Sequence, residues 1–319
     1  MSSMSGGIEV DICVIGAGSG GLSVAAGASQ LGASVALVER RLMGGDCLNF
    51  GCVPSKALLA AGKSAHNIAG AARFGITSAA PGIDQKAVRQ HVRDVIAAIA
   101  PHDSIERFRA LGVNVILGAA RFTGPREIQV DGQTIRARRF VVATGSSPVV
   151  PAIPGLDGVP YLTNETLFEY DQPMAHLIVI GGGPIGVEMS QAHRRLGVAV
   201  TLIEKTRLLP KDDPELTQVV HDRLVSEGVE VMTGIGVEGV AAEGSGAAVQ
   251  LDNGASVSGS HLLVATGRKA NVEGLNLEAA GIDYGRRGIA VDARLRSSNK
   301  KIFAIGDVIG GAMLAHKAE

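Results

Sequence analysis

The chain has 319 residues, 46% of them hydrophobic, and a formal net charge of −1. That length accommodates roughly two domains, each with its own core, and the balanced charge excludes a surface built to neutralise nucleic-acid or membrane phosphates. No apolar run reaches the ~18 residues of a membrane span, and MSSMSGGIEVD carries neither the regions of a secretory signal nor the arginines of a transit peptide, so a cytoplasmic location is expected.

The first predicted element is a buried parallel strand at Ile12–Ile15, too evenly apolar to face water on either side. A glycine turn follows. Gly16 allows a sharp bend, Gly18 lets backbone approach a pyrophosphate, and Gly21 lets the next helix pack on the strand. The helix start offers free N–H groups and partial positive charge to phosphates. A second strand ends at Glu39, placed to accept hydrogen bonds from ribose hydroxyls.

The segment GGDCLNFGCVPSKALL, residues 44–59, holds Cys47 and Cys52 with four residues between them, then Lys56 one turn later. In a chain with three cysteines this pair is a device for thiol–disulfide chemistry rather than part of a disulfide scaffold. A zinc site needs about four soft ligands, and no second pair completes one, so no metal is expected. Residues i and i+5 of an unbroken helix rise ~7.5 Å, whereas a disulfide holds Cα atoms ~4.4–6.8 Å apart. Leu48–Gly51 must therefore bend, which Asn49 and Gly51 permit, and Pro54 suits a helix's first turn. A helix start beside Cys52 favours its thiolate. The remaining Cys13 lies in the first strand and reads as core.

Further along, FVVATGSSP (140–148) ends a strand in Ala-Thr-Gly, and PVVPAIPGL (148–156), with three prolines, reads as a crossing between domains. Then the beginning repeats. Residues 176–204 echo residues 11–39, so that Gly181, Gly183, Gly186, Gly197 and Glu204 match Gly16, Gly18, Gly21, Gly32 and Glu39 at a constant offset of 165 residues. HLLVATGRKAN (261–271) echoes the Ala-Thr-Gly exit and places Thr266 opposite Thr144. One glycine pattern is weak; two in the same strand–turn–helix–strand–acid order are strong. They predict an α/β fold of two Rossmann-like dinucleotide-binding domains, one inserted in the other, over residues 1–150 plus 272–319 and 151–271. A carboxylate at Glu204 repels a 2′-phosphate and so favours NAD(H) over NADP(H), with Lys205 and Arg207 nearby as cations of opposite tendency.

From residue 11 onward the motifs GAGSGG, GGDCLNFGCVPSK, ATGSSP, PAIPGL, GGGPIGVE, ATGR and FAIGDV come in the order of the pyridine nucleotide–disulfide oxidoreductases, the flavoenzymes that include dihydrolipoamide dehydrogenase, glutathione reductase and mercuric reductase. The sequence resembles the dihydrolipoamide dehydrogenase branch most, through CVPSKALL, Glu204 and the terminal AMLAHKAE. Asp46 stands where the family usually has Thr, and the loop Arg40–Met43 is short.

The resemblance implies that FAD occupies the first glycine loop, at Gly16, Gly18, Ser19, Gly20 and Gly21, with Glu39, Arg40, Gly45, Asp46, Cys47, Lys56, Ala120, Thr144, Gly145, Ser146 and Asp307 around it. Met313, Leu314, Ala315 and His316 would lie along the flavin. NAD(H) would occupy Gly181, Gly183, Ile185, Gly186, Glu188, Glu204, Val237 and Gly267. Cys47 would exchange with substrate, Cys52 would face the flavin as thiolate, and Lys56 would pair with Glu188 beside the flavin ring. Electrons would pass between a dithiol substrate such as dihydrolipoamide, the Cys47–Cys52 pair, FAD and NAD(H). The alternatives are a mercuric reductase-like or other dithiol reductase and a non-catalytic flavin-binding module. The resemblance further implies a homodimerisation domain with an acid–base His–Glu pair beyond residue 319, so the chain by itself is expected to turn over dithiol substrate poorly.

Overall fold

The strand Val35–Glu39 is buried at every position, because neighbouring strands flank it and packed layers cover both its faces. It belongs to the first of two units in the computed structural model, which describes residues 7–319; the start of the N-terminal segment used above lies outside the described residues. The first unit comprises the chain up to Cys52, Ala97–Ser147 and Arg268–Glu319. Its sheet runs Asn114–Leu117, Val35–Glu39, Ile8–Ile15 and Gln133–Val142, all parallel. The long last strand does two jobs. Its C-terminal part pairs in parallel with Ile302–Ala304, and its N-terminal part pairs antiparallel with Glu127–Val130, which continues to Ala120–Gly124.

Alternate residues of the first strand feed opposite cores. Val14 packs with Leu22 and Ala25 of the helix Ser19–Gln30 and with Leu37 and Phe108. Cys13 joins Ala36, Val142 and the edge-to-face pair Phe122–Phe140. Cys13 is wholly buried, and that burial pushes its thiol far above the ordinary range, as expected of a core residue.

The second unit comprises Val53–Ile96 and Pro148–Gly267. Its parallel sheet has the order Glu230–Thr233, Ala199–Glu204, His176–Ile180, His261–Val264. On one face lies the antiparallel sheet Val237–Glu243, Gly246–Leu251, Ser256–Gly259, whose Val240 and Val249 meet Ile178 and Ile203. On the other, Leu58 and Val92 from the helices Cys52–Ala69 and Gln85–Ile99 pack with Leu177, Val179 and Met189. The division drawn from sequence gave these two helices to the first domain; their apolar faces instead complete the second core. The chain also re-enters the first unit at Arg268 rather than at residue 272. No helix among the described residues is long and apolar enough to cross a membrane.

One ion pair anchors the second unit's helix layer. Arg195 donates through Nε and Nη2 to the two oxygens of Glu227 at 2.7 and 2.6 Å, with side chains 16% and 4% exposed. Burial pushes the Glu227 carboxyl up, but this bidentate guanidinium outweighs it and the net displacement is downward. A lowered folded value contributes stability that is complete above the unfolded value of 4.5 and is lost as the pH falls from there. Glu227→Gln is therefore expected to lower stability by about 3 kcal/mol at neutral pH and to flatten its decline below pH 4.5, as read from urea melts across pH.

Candidate functional site: two glycine loops and a cysteine pair

The two glycine turns are built alike because the same atoms exclude a Cβ in each. Gly16 has φ +106°, and a Cβ there would lie 2.4 Å from the Ala143 carbonyl oxygen; Gly181 has φ +113°, with 2.4 Å to that of Ala265. A Cβ on Gly21 would fall 1.8 Å from the Gly16 oxygen, and one on Gly186 1.9 Å from that of Gly181. These four positions need glycine for packing. Gly18 and Gly183 need it for a different reason. They begin the helices Ser19–Gln30 and Pro184–Arg195 without side-chain caps, and a Cβ on Gly183 would meet nothing within 4 Å. A Cβ on Gly18 would only just reach the Gly45 Cα, at 3.9 Å, so at both uncapped helix starts the first-turn N–H groups are free of side-chain caps and can bind a pyrophosphate.

The strand-end carboxylates are latched to these loops. Glu39 accepts the N–H of Ala17 on Oε2 and that of Arg41 on Oε1, both at 2.7 Å. Glu204 accepts the N–H of Gly182 on Oε2 at 2.7 Å and that of Thr206 on Oε1 at 2.9 Å. The Thr206 hydroxyl donates to Glu204 Oε1 as well, at 2.9 Å, so in the second unit it is Oε2 that keeps an acceptor direction for a ribose hydroxyl, while both oxygens of Glu39 keep one. Arg40 is exposed beside Glu39, and Ala120 is buried at the start of its strand, which the Gly118 N–H holds to the Glu39 carbonyl at 2.8 Å. In the second unit Ile185 and Val237 are half-buried and Gly267 is exposed with φ +148°. Arg207 is not available to a 2′-phosphate: its guanidinium donates to the carbonyls of Leu209, Pro210 and Asp212 and to the Thr217 hydroxyl.

The cysteine segment bends where spacing requires. A short helix, Gly45–Asn49, ends as Asn49 Nδ2 donates to the carbonyls of Met43 at 3.0 Å and Gly45 at 2.8 Å. A new helix opens at Cys52. The break brings the two thiols into hydrogen-bond contact, with no disulfide between them. The bond to Cys52, then burial, holds the Cys47 thiol well above its ordinary range, partly offset by the Ser19 hydroxyl. Cys52 stands at the positive end of an 18-residue helix, where a negative charge is favoured. Exposure by itself orders the pair the other way, with Cys47 half-buried and Cys52 exposed.

Lys56 Nζ and the Glu188 carboxylate form the pair that the resemblance implied, at 2.7 and 2.8 Å, both within the second unit. The first unit gathers the other expected residues. Ser146 donates to Asp307 Oδ2 at 2.5 Å, and the Thr144 hydroxyl donates to the Asn271 carbonyl at 2.7 Å, whose own N–H meets Gly145. Met313 and Ala315 are half-buried, while Leu314 and His316 are exposed. The last helix, Ala315–Ala318, lies against the first loop, since a Cβ on Gly20 would sit 2.8 Å from the Ala318 oxygen. Sequence reasoning missed Arg268, which bonds both Asp46 and Ser146; its only signal was the final letter of ATGR.

The family model described as pyridine nucleotide-disulphide oxidoreductase matches residues 10–319. The chain belongs to this family. Among its relatives, a mercuric reductase of Streptomyces lividans is 38% identical over 93% of the chain and 65% of the relative. A dihydrolipoyl dehydrogenase of Thermus scotoductus is 40% identical over 97% of the chain and 68% of the relative. Among solved structures, the HOCl-induced flavoprotein disulfide reductase RclA of Escherichia coli superposes with a TM-score of 0.87 at 27% identity, over 97% of the chain and 68% of that protein. The chain spans from about half to about two thirds of the mercuric reductases it matches. Other family members thus share both the fold and most of this chain's length.

Proposed function

We propose that this chain carries the electron path of a flavin-dependent disulfide oxidoreductase of the dihydrolipoamide dehydrogenase type, linking a dithiol substrate to NAD(H). The observation that carries the proposal is the combination of two latched glycine loops with a cysteine pair whose thiols already touch. The first loop holds FAD by the pyrophosphate at Gly18–Gly21, by the adenosine ribose at Glu39 and by the ribitol at Asp307. The second holds NAD(H) at Gly181–Gly186, with Glu204 on the ribose.

When bound, the flavin supplies a carrier that takes hydride from the nicotinamide and passes an electron pair to sulfur. The residues of the chain do the rest. NADH and the Cys47–Cys52 disulfide become NAD⁺, the Cys47 thiol and the Cys52 thiolate, or the reverse when a dithiol substrate reduces the pair. Cys47 keeps the proton and exchanges with substrate sulfur. Cys52 would hold the thiolate at the helix start, facing the flavin when it is bound. Lys56, oriented by Glu188, would supply a positive charge one helical turn further on.

A second reading has specific support. Several of the similar relatives are mercuric reductases, and the same pair of sulfurs is suited to a soft metal ion as substrate. The direction of electron flow would then be outward from NAD(P)H.

Two outcomes are expected. Anaerobic titration of the FAD-loaded chain with NADH should raise a long-wavelength thiolate–flavin absorbance that is absent in Cys52→Ser; a band unchanged in that variant would refute the role of Cys52. Because Arg207 is spent on its own loop and Glu204 faces the ribose side, NADH should reduce the chain with at least about tenfold higher kcat/KM than NADPH, and Glu204→Ala should narrow the ratio.

A further inference from the structure

A chain of charged and polar groups runs from the residue before Cys47 through Arg268, which the proposed cofactor sites do not use. Arg268, with its side chain 12% exposed, donates through Nε to the Ser146 hydroxyl at 2.8 Å and through Nη2 to the Ser146 carbonyl at 2.9 Å. The same nitrogen lies 3.0 Å from Asp46 Oδ1. Ser146 in turn donates to Asp307. All four residues belong to the first unit, with both cysteines.

Asp46 has an unusual station. It is the residue before Cys47, and its Oδ2 lies 2.9 Å from where a Cβ on Gly51, the residue before Cys52, would be. One carboxylate therefore borders both arms of the bend that brings the sulfurs together. Its counter-charge is Arg268, which also holds the strand exit at Ser146. What Asp46 adds there beyond the shape of its side chain is a negative charge, paired with Arg268.

Charge matters because reduction creates it. The Cys47–Cys52 disulfide takes up two electrons and one proton, the S–S bond breaks, the proton stays on Cys47, and Cys52 is left as thiolate. A fixed carboxylate close by opposes that anion, and a fixed guanidinium favours it. We propose that Asp46 and Arg268 are positioning residues that set the reduction potential of the Cys47–Cys52 pair, with Asp46 holding it toward the disulfide and Arg268 limiting that bias. The inference rests on the redox role given to the pair above and adds to it the residues that tune it.

The test is an equilibrium measurement on the full chain. Wild type, Asp46→Asn, Arg268→Gln and Arg268→Lys are equilibrated at neutral pH against glutathione, so that disulfide plus two GSH gives dithiol plus GSSG. The mixture is acid-quenched and alkylated, and the Cys47 and Cys52 peptides are counted by mass. Asp46→Asn should raise the equilibrium constant for reduction by about threefold to tenfold, which is about 15–30 mV for a two-electron couple. Arg268→Gln should lower it by a similar factor, and Arg268→Lys should stay within about twofold of wild type. Opposite signs from the two ends of one ion pair are what a merely structural role would not produce. Shifts in the same direction, or none beyond about twofold, overturn the proposal and leave the redox function standing. If Arg268→Gln does not fold, Asp46→Asn decides alone, and no shift toward dithiol overturns the proposal. A wild-type pair that forms no disulfide at any glutathione ratio overturns both.

Discussion

A carboxylate bonded to a glycine turn is the constraint on which the rest of the structure hangs. In each unit the acid ending the second strand accepts the N–H of the residue between the first two motif glycines, at 2.7 Å in both cases. Burying an acid such as Glu39 is costly unless its oxygens are bonded, and here the bond does structural work. It ties the end of the second strand to the turn that follows the first. The turn in turn sets where the helix starts. With no Cβ at Gly18 or Gly183, the helix start presents N–H groups that no side chain caps.

In the second unit the latch leaves an acceptor direction on Glu204 Oε2, and Arg207 nearby is held by the backbone carbonyls of Leu209, Pro210 and Asp212. The cysteine pair depends on the first unit in the same way. The short helix carrying Cys47 lies against the glycine loop, where Gly45 meets Gly18, and Ser19 of the loop helix hydrogen-bonds Cys47. Breaking the helix at Phe50–Gly51 gives the two sulfurs different surroundings, Cys47 half-buried in the short helix and Cys52 exposed at the start of the long one.

Much of this was legible in the sequence because glycine requirements are local. A missing Cβ at Gly16 or Gly186 leaves a mark at that very position, and two copies at one offset remove coincidence. The bend between the cysteines followed from helix geometry alone. The Lys56–Glu188 pair spans 132 residues and came only through family resemblance. The helices Cys52–Ala69 and Gln85–Ile99 were assigned by chain continuity, yet an apolar helix face does not name the core it joins; Leu58 and Val92 turned out to pack with Leu177 and Met189. Arg268 was passed over because an arginine after a strand exit looks like a solvated charge, and Arg207 looked available because its acceptors lie on a loop and the helix after it, whose path the sequence does not reveal.

The most direct test of the central claim, that the two loops exist to drive the cysteine pair, is to count thiols. The oxidised chain is incubated anaerobically with NADH, with FAD, or with both, then alkylated, and the label on Cys47 and Cys52 is read by mass spectrometry. The expected result is two labelled thiols per chain only when both nucleotides are present, with Cys13 unlabelled in the native state. Flavin that is bleached by NADH while Cys47 and Cys52 stay joined, or thiols that appear without FAD, would contradict it.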